Sequence, residues 1–304
     1  AMGDPIGSGG YYVLAIGLTS FITTPIGGKV IDKVGPRPVL VGGLATAACM
    51  ILFGNSLPSY ILLPLMIVSS IAAGALWAFI PAFFKANWGT NETLFTLMMN
   101  YIAIQLVSYF TYLWSVPKGS GQIGVINGAT KAGWLPVLGK YDYLLNIIIV
   151  AVLTVLMYVY LKYSKHGYEI SVVGGSENTA RYVGINVKKV IIRTMLVSGA
   201  VCGIAGLLLV AGTDHTVTRD TAAGRGFTAI MVSWLAKFNP LYMILTSFLL
   251  VFLQKGASEI STIYGLNDSF SEIITGIIIF FIIGSEFFIN YKIKFRERAK
   301  EVKE

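Results

Sequence analysis

Long apolar blocks separated by short polar stretches dominate the chain. Runs near the roughly 20 residues needed to cross a bilayer recur along its length. They cover residues 11–26, 39–53, 60–84, 93–114, 143–161, 190–210, 241–253 and 273–289. A shorter apolar piece, 227–238, stands before Asn239-Pro240. A large soluble helical core would interleave charged faces with such runs, and these blocks carry none. The pattern predicts an all-α, polytopic transmembrane bundle of about eight to nine membrane segments. One polar interruption differs from the others. Residues 168–185, YEISVVGGSENTARYVGI, lie between two of the longest apolar blocks. Ser176 or Asn178 can cap a short helix there, Gly174-Gly175 marks a break before it, and Gly184 can end it. Ala180, Tyr182 and Ile185 are read as one small apolar face on that helix.

Basic residues orient the bundle, because Lys and Arg are enriched in cytoplasmic loops. With loops 27–38, 85–92, 162–189 and the tail after residue 290 on one side, that side holds fifteen Lys and Arg. The opposite side, loops 115–142 and 213–226, holds five. This bias places 163–189 and the C-terminus in the cytoplasm. It also requires 227–253 to begin and end outside, either as a re-entrant hairpin or as two short spans turning at Asn239-Pro240.

Composition narrows the chemistry. Of the 304 residues, 55% are hydrophobic and 12% charged, with a mean hydropathy of +0.71; soluble domains are about a quarter charged. The net charge of +8 follows from the cytoplasmic bias and from the tail KIKFRERAKEVKE, so it calls for no nucleic-acid partner. Cys49 and Cys202 both fall inside predicted spans, and His166 and His215 lie far apart, so neither a disulfide framework nor a metal site is expected. There is no P-loop, HExxH or GxSxG, so no ATP-hydrolysing site is expected in this chain. The chain opens on Ala1 without a signal-peptide pattern, and a processed or partial N-terminus is the expectation.

Several separate motifs then occur in order. They are the 168–185 segment with Thr179-Ala180-Arg181-Tyr182 and Gly184-Ile185, SGAVCGIAG at 198–206, and GRGFTAIMVSWLAKFNPL at 224–241. Together they resemble the permease subunits of bacterial ABC importers, in the group that handles branched-chain amino acids, ribose and nucleosides. Upstream, Trp77, Pro81, Lys85, Ala86, Asn91, Glu92, Thr96, Leu97, Met98, Asn100 and Tyr101 resemble the subgroup that works with nucleoside receptors of the basic membrane lipoprotein type. The resemblance runs from about residue 62 to 287. It implies ATP-driven import across a bacterial cell membrane and no enzymatic activity in this chain. ATP and Mg would be bound by a cytoplasmic ABC ATPase dimer. A second permease chain would complete the pathway, and an extracytoplasmic binding lipoprotein would deliver the solute. It also implies that the helix carrying Glu177, Asn178, Ala180, Arg181, Tyr182, Gly184 and Ile185 is a coupling helix seated on the ATPase.

Physical reasoning adds candidates of its own. Intramembrane polar side chains are costly and mark function by default, which singles out Asn100 and Gln105 for the solute pathway. Trp77 and Trp234 offer flat faces on which a nucleobase can stack; interhelical bonding and interface anchoring are the competing readings. The run Ser198, Gly199, Cys202, Gly203 and Gly206 places small residues at the spacing that lets helix backbones approach closely in lipid. The first 58 residues depart from the nucleoside-permease pattern. There Gly28, Asp32, Lys33, Gly35 and Arg37 match the loop signature G-x-x-x-D-[RK]-x-G-x-[RK] of the major facilitator superfamily. The expected organisation is therefore atypical N-terminal segments in 1–58, a permease body in 59–290 and a basic tail in 291–304. A facilitator-type secondary carrier, and a permease for sugars or branched-chain amino acids, stand as the alternatives.

Overall fold

The computed structural model describes residues 38–115, 123–137, 143–218, 225–236 and 240–267, with single positions between and beyond these up to 285. The facilitator-like loop 28–37, the predicted span 11–26, part of the last predicted span 273–289 and the tail lie outside the described residues. Among the described residues there are helices and no strands. In chain order they are α1 (Pro38–Phe53), α2 (Ser59–Trp88), α3 (Glu92–Leu113), α4 (Leu144–Tyr163), α5 (Lys165–Gly175), α6 (Glu177–Tyr182), α7 (Val187–Leu209), α8 (Arg225–Leu235) and α9 (Pro240–Ile263). A single π-helical turn, Val210–Asp214, continues α7. Five of these helices are long and apolar enough to cross a membrane: α2, α3, α4, α7 with its π turn, and α9. The chain is an all-α polytopic membrane bundle.

At 30 residues, α2 extends about 45 Å, more than the roughly 30 Å hydrocarbon core. It ends at Gly89, whose φ of 63° supplies the left-handed C-cap that glycine adopts without penalty. Two residues on, Asn91 starts α3: its side-chain oxygen accepts from the Thr93 and Leu94 N–H groups. Lys85 and Glu92 bridge the turn at 4.0 Å. The Lys85, Asn91 and Glu92 positions of the sequence motif thus build the tight turn between α2 and α3.

The core lies where α1, α2 and α7 meet. Most of α1 is buried, as expected of a helix that is apolar all round. Leu40, Leu44, Ala47 and Met50 of α1 join Leu62 and Met66 of α2, Val107 of α3, Val150 of α4 and Leu207 and Leu208 of α7 in one cluster. In α2 and α4, by contrast, many apolar side chains are exposed, among them Leu76, Val152, Val155 and Leu156, as lipid contact requires.

The two ends of α7 differ. At its start, α5 and α6 fold back on it through Val173, Ala180, Val187 and Val190. At its finish, the segment 123–137 covers the helix ends. Ile126 N–H donates to the His215 carbonyl at 2.8 Å, and Leu135 N–H to that of Ala211 at 3.1 Å. Asn127 Nδ2 donates to the Met50 carbonyl at 2.8 Å. Gly133, with φ of 81°, sits against Met50, Met66 and Leu62, where a Cβ would crowd them. The described segment 123–137 of the predicted outer loop therefore caps the ends of α1, α2 and α7.

Candidate functional site: the α7 seam, the buried amides and the short helix

The small residues of α7 lie on one buried seam. Ser198, Gly199, Cys202, Gly203 and Gly206 are all buried. A Cβ at Gly199 would strike the Gly74 carbonyl and the Ala78 side chain of α2. One at Gly203 would strike the Ser70 carbonyl, and one at Gly206 the Val39 carbonyl and Gly43 nitrogen of α1. Ser70 Oγ donates to the Gly203 carbonyl across the seam. The backbones of three helices therefore touch here. Without a hydrophobic effect between helices in lipid, such dispersion contacts carry association.

Other buried polar groups lie on α3 and α4. Along α3 the buried face is Thr96, Met99, Asn100, Ala103, Val107 and Thr111, a spacing of three and four residues. Thr96 Oγ1 is satisfied by the Glu92 carbonyl at 2.8 Å. Among the described residues, Asn100 Oδ1 and Thr111 Oγ1 find no hydrogen-bond partner. Gln105 is exposed. Five residues along a helix is a rotation of about 140°, so α3 does not bring Gln105 to the face of Asn100. Trp77 is half-buried on α2. Pro81, four residues on in the same helix, has no N–H to offer the Trp77 carbonyl. Trp234 belongs to α8, and its side chain lies outside the described residues.

Sequence reasoning missed Asn146. It is the third residue of α4 and 2% exposed, with Nδ2 unpartnered among the described residues. Its amide presses on Gly212 of the π turn, where any Cβ would collide with it. The signal was available: Asn146 is a lone amide at the head of the apolar run LLNIIIVAV, to which the rule applied to Asn100 applies equally. His215 was set aside as too isolated for a metal site, yet it stacks on Trp134 with ring centroids 3.7 Å apart. Burial pushes its imidazole below the usual histidine range, against the opposing pull of Asp214.

At the other end, the polar interruption forms two helices. Ser164 caps α5 by accepting from Gly167 N–H at 3.0 Å, one residue after α4 ends. Ser176 caps α6 by accepting from Thr179 N–H at 3.3 Å, so Ser176 rather than Asn178 takes that place. Gly184, with φ of 82°, turns the chain toward α7, which Asn186 caps through Lys189 N–H at 3.2 Å. The single apolar docking face expected of Ala180, Tyr182 and Ile185 does not form. Residues 180 and 182 are about 200° apart around a helix. Ala180 is 0% exposed and Ile185 is half-buried, both packed inward, whereas Tyr182 is 92% exposed. The outward surface is Glu177, Asn178, Arg181, Tyr182, Val183 and Gly184. Arg181 and Glu177 pair along it at 3.7 Å.

Comparisons with known proteins agree on one family. Residues 34–283 match the model described as branched-chain amino acid transport system / permease component, a match that takes in α1. The guanosine ABC transporter permease protein NupP of Bacillus subtilis is 32% identical over 232 residues, covering 75% of this chain and 66% of that protein. The glucose ABC transporter permease protein TsgB13 of Haloferax volcanii is 29% identical over 266 residues, covering 84% of this chain and 69% of that protein. The nucleoside ABC transporter permease protein NupB of Lactococcus lactis is 27% identical over 235 residues, covering 74% of this chain and 64% of that protein. The chain thus spans about two thirds of the length of these relatives. No solved structure matches it. With the family match extending over most of the chain and over every helix of the seam, the protein belongs to the branched-chain amino acid transport system permease family.

Proposed function

We propose that this chain is the membrane subunit of an ATP-driven importer of nucleosides. The observation that carries the proposal is the pairing of a family-wide match with a short, doubly capped helix whose outer face is bare. Relatives named for guanosine and nucleoside transport favour a nucleoside, as does the motif from Trp77 to Tyr101. Asn100 supplies a buried acceptor for a base or ribose donor, and the half-buried Trp77 a flat face. Base–aromatic stacking contributes about 1–3 kcal/mol in nucleic-acid sites.

In this reading, solute passes between this chain and a second permease subunit. A binding lipoprotein delivers it at the end covered by 123–137. An ATPase dimer, holding ATP and Mg, docks on α6 in the cytoplasm. Gln105, exposed on α3, then faces the partner or lipid. The relative named for glucose supports a sugar permease as the second reading. Competition separates the two: uptake of labelled guanosine into proteoliposomes holding the assembled transporter falls with excess unlabelled adenosine or guanosine. Absence of saturable guanosine uptake, with labelled glucose or leucine imported instead, contradicts the nucleoside reading.

A further inference from the structure

The short helix does not float on a loop. The chain passes from α4 through Ser164 into α5, from α5 through Ser176 into α6, and from α6 through residues 183–186 into α7. Every junction is capped or turned by a specific residue. Gly167 is pressed so closely on the Leu161 carbonyl that a Cβ there would collide with it, which leaves the α4–α5 bend no slack. The apolar cluster of Val173, Ala180, Val187 and Val190 fills the space between α5, α6 and α7. One polar bond closes it: Arg193 Nη2 donates to Glu169 Oε2 at 2.7 Å, joining α5 to α7 across 24 residues of sequence.

Arg193 lies six residues before Gly199, where α7 meets the backbone of α2. Its Nε is buried without a partner among the described residues, and Glu169 holds this guanidinium by one end. Charge-assisted bonds of this length are strong and directional. Apolar packing is not directional. The cluster can hold α6 near α7, and the ion pair adds a directional tie between α5 and the α7 axis.

We infer that Glu169 and Arg193 are positioning residues for energy coupling: their ion pair transmits displacement of α5 and α6 to α7 and its glycine seam. The inference rests on the reading that α6 docks on an ATPase. The test uses the complete transporter, with wild type, Glu169→Gln, Arg193→Gln and the exchange Glu169→Arg with Arg193→Glu. Three quantities are read: the ATPase retained on purification, its basal hydrolysis, and solute imported per ATP hydrolysed. Each single variant is expected to keep the ATPase and its basal hydrolysis while import per ATP falls about tenfold, and the exchange to restore much of the loss. If a single variant loses the ATPase and the exchange regains it, the pair still sets the docking geometry. Normal import per ATP in both single variants overturns the inference. So does an exchange variant that recovers neither docking nor coupling. A wild-type chain that retains no ATPase contradicts the docking reading itself, whatever the variants do.

Discussion

Trp134 lies flat on His215, with ring centroids 3.7 Å apart and planes within 6°. The indole Nε1 of Trp134 also donates to the Ile126 carbonyl at 2.9 Å, and Ile126 N–H donates to the His215 carbonyl. The two residues therefore lock a loop that a hydropathy profile leaves as a plain connector onto the end of α7. Replacing Trp134 with Ala removes the stack and the indole bond together. The thermal stability of the purified protein should fall by about 2 kcal/mol, the scale of a lost aromatic partner plus its burial. Cysteines placed at exposed Val125 or Val137 should report a loosened loop by faster labelling. An unchanged midpoint and unchanged labelling would show that the loop is held by its backbone bonds alone.

The same histidine makes the cap sensitive to acid. Burial lowers the His215 pKa, so the folded cap prefers the neutral ring. The unfolded chain then binds more protons below the ordinary histidine value of about 6.5. Stability is therefore full above that value and declines as pH falls through it toward the lowered folded pKa. His215→Phe should flatten this part of the stability profile while keeping the stack. A wild-type profile that is level between pH 7 and 5, or one that rises toward acid, contradicts the assignment.

The glycine seam predicts an inversion of ordinary helix rules. Gly→Ala inside a helix usually stabilises by about 1 kcal/mol. At Gly203 the added methyl meets the Ser70 backbone, which cannot swing away as a side chain can. Gly203→Ala should therefore destabilise by about 1–3 kcal/mol. Gly174→Ala, at a helical glycine with open space around it, should be neutral or stabilising. Equal midpoints for the two variants would show that α2 and α7 separate easily.

Much of this arrangement is legible in the sequence because lipid imposes simple rules. Runs of apolar residues become helices, since the backbone must satisfy itself. The predicted blocks 60–84, 93–114, 143–161 and 190–210 each fall within or nearly within one described helix. Less is legible where partners are set by tertiary contact. Nothing local shows that residues 165–175 are helical, because Gly174-Gly175 reads as a break although α5 continues through both. Ala180 and Tyr182 are near neighbours in sequence, and only the packing of α7 decides which of them turns inward. Asn146 needed Gly212 to give it meaning, 66 residues away.

Coupling at α6 should separate from stability residue by residue. Arg181→Glu and Tyr182→Ala alter exposed side chains, so folding should change by less than about 0.5 kcal/mol. Receptor-stimulated ATP hydrolysis should nevertheless drop, because a reversed charge in a desolvated interface costs several kcal/mol. Ala180→Leu acts the other way, overfilling the cluster with Val173 and Val187 and lowering stability. Normal stimulation in both exposed variants would reduce α6 to a connector.

Asn100 offers the sharpest probe of the pathway. Asn100→Leu keeps the approximate volume and removes the unpartnered acceptor. If solute bonds to it, KM should rise about five- to tenfold, the equivalent of one hydrogen bond of about 1–1.5 kcal/mol. Gln105→Leu should leave KM within twofold. An unchanged KM for Asn100→Leu, with or without lost stability, assigns the amide to packing.

The energy source is the most direct measurement. The complete transporter is reconstituted in proteoliposomes with its receptor outside, and labelled guanosine uptake is followed with and without internal ATP and Mg. Uptake should need ATP, survive ionophores that collapse proton and sodium gradients, and stop when the ATPase is omitted. Uptake by this chain alone, driven by an ion gradient without ATP, would contradict it and support a secondary carrier.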